Sequence, residues 1–284
     1  MPLAKVNEIL RHATENRYGV AAINVFNYET IKWAAEAANR ERIPLIIQFY
    51  PGFSSYIELR HVAAIARGFA EQSDVPIAVH LDHSASYEIA VSGLRDGFPS
   101  VMVDGSALSY EENTALTAAV VRTASVFGVD VEAELGHVGS GAKLDDIVNS
   151  DNYTNVEQAV DFVQRTGCGS LAVAVGNAHG VYIQTPNLDF DRIRALRKAL
   201  PVPLVLHGCS DIPHEQLQES VRLGMSKFNI ATEYFRACYQ GIAAAIDPEA
   251  KNGQMIDLMK QTEENAVEFV RKKMRLLNPD GFSL

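Results

Sequence analysis

The sequence predicts a (β/α)8 TIM barrel with additional C-terminal helices, and three observations carry that expectation. Eight short apolar runs recur along the chain, helical periodicities fill the intervals, and 284 residues is an ordinary length for one such barrel. The runs cover 20–26, 45–49, 77–81, 100–103, 129–135, 170–175, 203–206 and 226–230. Each is too short for a typical helix, and most are nearly continuous in hydrophobicity, as parallel strands covered on both faces are.

The intervals read as helices. Leu59, Val62, Ala63, Ala66, Phe69 and Ala70 keep the i, i+3, i+4, i+7 spacing of one buried helical face, as do Val156, Ala159, Val160 and Val163. Ser109 with Glu112, and Thr154 with Glu157, read as capping boxes that open helices. Gly97, Gly128, Gly167 and Gly224 stand just ahead of strands, where a left-handed residue lets the chain turn back into the sheet. An open doubly wound sheet is the rival architecture. It often carries a glycine-rich turn after its first strand, whereas Asn24-Val25-Phe26-Asn27-Tyr28 stands here. A single domain over 1–284 is expected, with a helical extension from about 233 to 284 that closes the barrel or reaches a partner subunit.

Composition narrows the function. Hydrophobic residues make up 47% of the chain, enough for a sizeable core, and the net charge of −10 disfavours nucleic acid and anionic membrane as partners. Cys168, Cys209 and Cys238 are odd in number and lack paired spacing, which suits a reducing, cytoplasmic compartment. No apolar signal core or membrane-length run is evident.

Barrel enzymes work at the C-terminal ends of their strands. There the sequence places His80-Leu81-Asp82-His83, Asp104-Gly105-Ser106, Glu132-Ala133-Glu134, Asn177-Ala178-His179-Gly180, His207-Gly208-Cys209-Ser210 and Asn229-Ile230-Ala231-Thr232. His83, His179 and His207 lie just past strand ends, and three neutral imidazoles with an open fourth position form a common catalytic Zn²⁺ site. Asp82 neighbours one proposed ligand and is placed to move a proton, or to support a histidine. Asp104 and Glu134 are acids able to orient ligands, to offer an alternative metal position, or only to pair with lysines, and they are not read as catalytic. His80 reads as a satisfied core residue, His12 and His61 as helix-surface residues, and His214 as a helix start. The stretch 136–153, rich in Gly, Asp, Asn and Ser, reads as a lid that puts His137 near substrate. Small residues and hydroxyls after the seventh and eighth strands suit a phosphate held at a helix N-terminus, which needs no net basic charge.

The segments HLDHS (80–84), VMVDGS (101–106), VEAELGHVG (131–139), SLAVAVGNAHGVY (170–182), PLVLHGCSDIP (203–213) and KFNIATE (227–233) resemble the class II, zinc-dependent ketose-bisphosphate aldolases over nearly the whole length. The closest look is to the tagatose-bisphosphate branch, where an aspartate also stands at the place of Asp211. The resemblance implies one Zn²⁺ per subunit on His83, His179 and His207, and proton transfer at the C4 hydroxyl by Asp82. It implies dihydroxyacetone phosphate held by Gly180, Gly208, Cys209, Ser210, Asn229, Ile230, Ala231 and Thr232, with a monovalent cation (Na⁺ or K⁺) nearby, in a homodimer or homotetramer. The expected activity is reversible cleavage of a tagatose- or fructose-1,6-bisphosphate-like ketose to dihydroxyacetone phosphate and an aldehyde such as glyceraldehyde 3-phosphate. The alternatives are a different ketose 1-phosphate, or a non-catalytic sugar-phosphate-binding subunit. A zinc hydrolase is disfavoured because Asn24-Val25-Phe26 replaces the His-x-His usual at the first strand of barrel hydrolases. Three departures from the family pattern stand out. The lid reads Gly139-Ser140-Gly141-Ala142-Lys143-Leu144-Asp145-Asp146 and lacks the usual glutamate proton donor, Tyr50 follows the second strand, and Cys209 replaces a smaller residue. A Schiff-base route is not expected, since no strand run shows an evident buried lysine.

Overall fold

Strand β1 (Val20–Asn24) pairs with β2 (Leu45–Phe49), and pairing continues in chain order through β3 (Ile77–Ser84), β4 (Ser100–Val103), β5 (Asp130–Leu135), β6 (Ser170–Val173), β7 (Leu204–Leu206) and β8 (Met225–Ile230). Every pair is parallel, and β8 returns to β1 to close the barrel. The computed structural model describes residues 3–246 and 253–284. All eight expected strands are present; the third runs on to Ser84 rather than stopping at residue 81.

Around the strands run α1 (Val6–Asn16), α2 (Tyr28–Glu41), α3 (Leu59–Gln72), α4 (Tyr87–Arg95), α5 (Tyr110–Val126), α6 (Leu144–Val148), α7 (Val156–Thr166), α8 (Phe190–Ala199), α9 (His214–Leu223), α10 (Thr232–Ala245) and α11 (Met255–Leu277). Gly97, Gly128, Gly167 and Gly224 all adopt the left-handed conformation expected of them, with φ of 96°, 64°, 69° and 104°. The Ser109–Glu112 capping box forms. The one at Thr154 does not. Asn155 caps α7 by accepting from the Gln158 N–H. The Thr154 hydroxyl is committed elsewhere, donating to the Leu135 carbonyl and accepting from the Ala174 N–H, so it ties β5 to β6.

Strand parity sorts the barrel into two populations. Outward residues such as Ile23, Ile47, Val79, Val101, Ala133, Leu171, Leu206, Phe228 and Ile230 join the helices in one apolar layer. Inward Ala22, Ile46 and Ala78 meet Val6, Ile9, Leu10 and Ala13 of α1, which plugs the barrel floor. Above that floor the inward positions turn polar: Asn24, Gln48, His80, Asp82, Glu132, Glu134, His207, Lys227 and Asn229 are all buried. So many buried polar groups are tolerable only when they satisfy one another.

The C-terminal helices fold back on the barrel. Glu41 of α2 accepts from Arg271 and Arg275 of α11, and the Tyr234 hydroxyl of α10 donates to the Thr30 carbonyl at 2.8 Å.

Candidate active site

One irregularity on β3 sets the geometry. Leu81 is opposite Val101 and Ser84 opposite Val103, so three steps on β3 face two on β4. The extra residue is a bulge, and His83 takes it up with a φ of 42°, a region that non-glycine residues seldom visit. Successive side chains on a regular strand point to opposite faces. The bulge instead brings both Asp82 and His83 to the cavity at the barrel mouth.

His83, His179 and His207 meet there. Their ring centroids lie 4.8 Å (His83–His179), 4.6 Å (His83–His207) and 5.7 Å (His179–His207) apart, and one nitrogen from each falls within 4.8 Å of the others. Each ring is anchored through its other nitrogen. His83 Nδ1 donates to Asp104 at 2.9 Å, His179 Nδ1 to the Val138 carbonyl at 3.2 Å, and His207 Nε2 to Glu132 at 2.9 Å. Such acceptors fix the tautomer and turn the remaining lone pair outward. His179 Nε2, His207 Nδ1 and Glu134 Oε2 are buried with no hydrogen-bond partner among the described residues. Three preset nitrogens, two of them (His179 Nε2 and His207 Nδ1) buried without a partner, fit a divalent cation. His83, Asp104 and Glu134 form a second convergent set on the same side.

The electrostatics follow from this crowding. Burial works against charge on His83, but Asp82 and then Asp104 outweigh it and lift its pKa to about 9. Burial, and then the His83 charge, press His179 down to about 4 and His207 well below the usual imidazole value. Burial and then the neighbouring Asp104 charge push Glu134 up to about 8.

Asp82 is clamped. Asn24 Nδ2 donates to one carboxylate oxygen at 2.9 Å, Gln48 Nε2 to the same oxygen at 3.3 Å, and Asn229 Nδ2 to the other at 3.2 Å. Burial would raise its pKa, but the charges of His83 and Lys227 hold it below the usual aspartate value. Asn24 and Gln48 were not singled out by sequence reasoning. Their signal was there to read: each is a lone amide at the C-terminal end of an apolar strand.

Beneath the rings lies a pair that the sequence reading overlooked. Lys227, fully buried on β8, reaches the Glu132 carboxylate at 2.9 and 3.1 Å. The expectation that no strand carries a buried lysine is therefore corrected. Its ammonium is committed to Glu132 and does not line the cavity, so it offers no free amine. His80 bonds Ser100 through Nδ1 at 2.8 Å, but its Nε2 has no hydrogen-bond partner among the described residues and stands 3.8 Å from Glu132. It is a core histidine, satisfied on one side only.

The cavity above these groups, about 560 Å³, is also lined by Tyr50, Phe53, Ser106, His137, Gly180, Gly208, Ser210, Asn229, Ala231 and Thr232. Cys209 and Ile230 belong instead to the apolar layer behind the wall. The Cys209 thiol faces the Leu206 carbonyl at 3.0 Å, and its N–H is taken by the Asn229 carbonyl. Gly208 has a φ of 61°, and a Cβ there would stand 1.9 Å from the Ala178 carbonyl, so only glycine lets the two backbones approach. The N-terminus of α10 opens at Thr232 with no side-chain cap, leaving backbone N–H groups for an anion. Ser210 reaches this helix start, its Oγ accepting from the Glu233 N–H at 3.2 Å. The lid contains the short helix α6 and a 3-10 turn, Ser150–Asn152, that its composition did not announce. It is laced to the His179 segment: His179 N–H donates to the Gly139 carbonyl at 2.8 Å, and Gly141 N–H to the His179 carbonyl at 2.7 Å.

The sequence profile of class II fructose-bisphosphate aldolase matches residues 4–281. The chain belongs to the class II fructose-bisphosphate aldolase family. It is 36% identical over 279 residues to the uncharacterized protein YdjI of Escherichia coli strain K12, covering 98% of this chain and 99% of that one. The crystal structure of the YdjI aldolase from Escherichia coli K12 superposes with a TM-score of 0.89 at 34% identity, over 99% of this chain and 100% of that one. The fructose-bisphosphate aldolase of Campylobacter jejuni shares the fold, with a TM-score of 0.82 at 24% identity over 98% and 96% of the two chains. The family is one of lyases that act on small sugar phosphates. No helix among the described residues is long and apolar enough to cross a membrane.

Proposed function

We propose that this chain is a zinc-dependent aldolase that reversibly cleaves a phosphorylated ketose to dihydroxyacetone phosphate and an aldehyde. One observation carries the reading: three imidazoles, each anchored through one nitrogen, turn their other nitrogens toward a common point beside an amide-clamped carboxylate. His83, His179 and His207 are the proposed ligands. Zinc bound by them supplies Lewis acidity that stabilises the negative charge developing on the substrate oxygens.

The chain's own residues do the rest. Gly208, Ser210 and the first N–H groups of α10 hold the phosphate, and a phosphate so anchored presents the adjoining carbons to Asp82. Asp82 is ionised and turned to the cavity by Asn24, Gln48 and Asn229, so it accepts the C4 hydroxyl proton as the C3–C4 bond breaks. In condensation it returns that proton. Asp104 holds His83, and Glu132 holds His207, in the orientation the ligand set needs.

Two substrate readings stand. The family description favours a ketose 1,6-bisphosphate of the fructose or tagatose type. Among the described residues, however, no lysine or arginine lines the cavity, which favours a ketose 1-phosphate whose aldehyde half carries no second phosphate. A panel of ketose mono- and bisphosphates, assayed by release of dihydroxyacetone phosphate, decides between them. Chelation should abolish cleavage and Zn²⁺ should restore it; cleavage unaffected by complete metal removal would rule out the metal reading.

A further inference from the structure

Aldol cleavage needs two proton transfers at different atoms. The first leaves the C4 oxygen for Asp82. The second must reach C3, where the broken bond leaves an electron pair shared with the C2 carbonyl. Asp82 is held on the amide side of the cavity, and the imidazoles of His83 and His179 each spend one nitrogen on an anchor and turn the other to the ligand cluster. Asp104 is spent on His83 and on Ser106. That leaves His137 as the lining imidazole with no hydrogen bond from its ring to another described residue. It projects from the lid with about half its surface exposed (47%).

Its surroundings are built for orientation. Asp146 stands 3.9 Å from His137 Nε2, within ion-pair reach, and is itself fixed by the Ser140 N–H, which donates to it at 2.7 Å. Gly139 makes room for that carboxylate, since a Cβ there would stand 2.3 Å from the Asp146 carboxyl carbon. The backbone beneath the imidazole is held as well, the main-chain N–H of His137 donating to the Asn152 carbonyl at 2.9 Å. At 3.9 Å Asp146 makes no hydrogen bond to the ring, but it sets a carboxylate beside an imidazole that lines the cavity, and such a neighbour suits the imidazolium that donates a proton.

Resting on the aldolase reading, we infer that His137, positioned by Asp146, protonates C3 in cleavage and deprotonates it in condensation. In cleavage the imidazolium N–H bond breaks, the electron pair of the enediolate forms the new C3–H bond, and the C2 carbonyl is restored. In condensation the neutral imidazole takes the C3 proton, and the pair from that C–H bond passes to the enediolate.

The test follows proton exchange separately from cleavage. Dihydroxyacetone phosphate is incubated in D₂O with the metal-loaded protein, and loss of the C3–H signal is followed by NMR. Wild type should exchange; His137→Ala and His137→Gln should lose exchange by about 10²–10⁴-fold while metal content and Tm stay near wild type. Added imidazole should restore exchange to His137→Ala, a rescue that a merely structural role would not give. Exchange within threefold of wild type in either variant overturns the assignment, as does a loss that imidazole fails to restore. Loss of exchange in Tyr50→Phe with retention in His137→Ala moves the role to the lining phenol and overturns it too. A wild-type protein that neither exchanges nor cleaves any of the ketose phosphates overturns the aldolase reading itself.

Discussion

Replacing Lys227 by methionine should cost the fold far more than its single contact suggests. The ammonium and the Glu132 carboxylate are both fully buried and 2.9 Å apart. Their attraction roughly offsets the loss of water around each, so the intact pair adds little net stability. Removing one partner leaves the other charge buried with no counter-ion, and the expected penalty is about 3–5 kcal/mol. For a chain of 284 residues that corresponds to a fall in Tm of roughly 5–8 °C. Glu132→Gln should cost a similar amount. The double variant, with neither charge, should recover to within about 1–2 kcal/mol of wild type. Urea titration of the four proteins at one pH closes the cycle. Metal affinity should separate the two residues: Glu132 also orients His207, so Glu132→Gln and the double variant should bind zinc about 10–100-fold more weakly. Lys227→Met should retain near-normal affinity. A single variant that costs less than about 1 kcal/mol, or a double whose loss is the sum of the singles, refutes this account.

Three further outcomes are expected. Asp82→Asn should keep its zinc and its fold yet lose about 10²–10⁴ in kcat; turnover near wild type removes Asp82 from proton transfer. His207→Ala should lower the zinc stoichiometry of protein purified with metal, measured by atomic absorption, and an unchanged content means the ligand set is wrong. Glu41, whose pKa lies below the usual carboxylate range mainly through its Arg275 hydrogen bond, clamps α2 to α11. A depressed acid stabilises the fold above its unfolded pKa and loses that contribution as pH falls through its folded value. Glu41→Gln should therefore cost about 1 kcal/mol or less at pH 7, because Arg275 is partly exposed, and the gap to wild type should close toward pH 3. A gap that widens on acidification contradicts the sign.

The barrel was legible because parallel strands covered on both faces write themselves as short apolar runs, and the count of eight matched a closed sheet. The three histidines were legible because strand ends are where side chains of a barrel converge. Asp104 was legible as an acid able to orient a ligand, and it holds His83 from 21 residues away. Glu132 as the anchor of His207 was not, since it lies 75 residues away and the contact exists only once the sheet has closed. Lys227 was hidden in a similar way, since its partner lies 95 residues earlier and its neighbours read as an ordinary strand. The bulge was not read from the sequence, although its trace is there: the polar pair Asp82-His83 breaks the alternation that His80-Leu81-Asp82 begins. At Thr154 the local signal was genuine, but two backbone groups of adjacent strands claimed the hydroxyl first.

The added step on β3 also constrains how this protein can be re-engineered. Asp82 and His83 are consecutive, and their joint orientation depends on one displaced peptide unit rather than on two independent positions. A deletion that evened the count against β4 would swing one of the two into the surrounding helical shell, so proton handling and ligand supply would fail together. Retuning of specificity in this scaffold is best confined to the second-strand exit and to lid positions other than His137 and Asp146, where side chains can be exchanged without resetting the sheet.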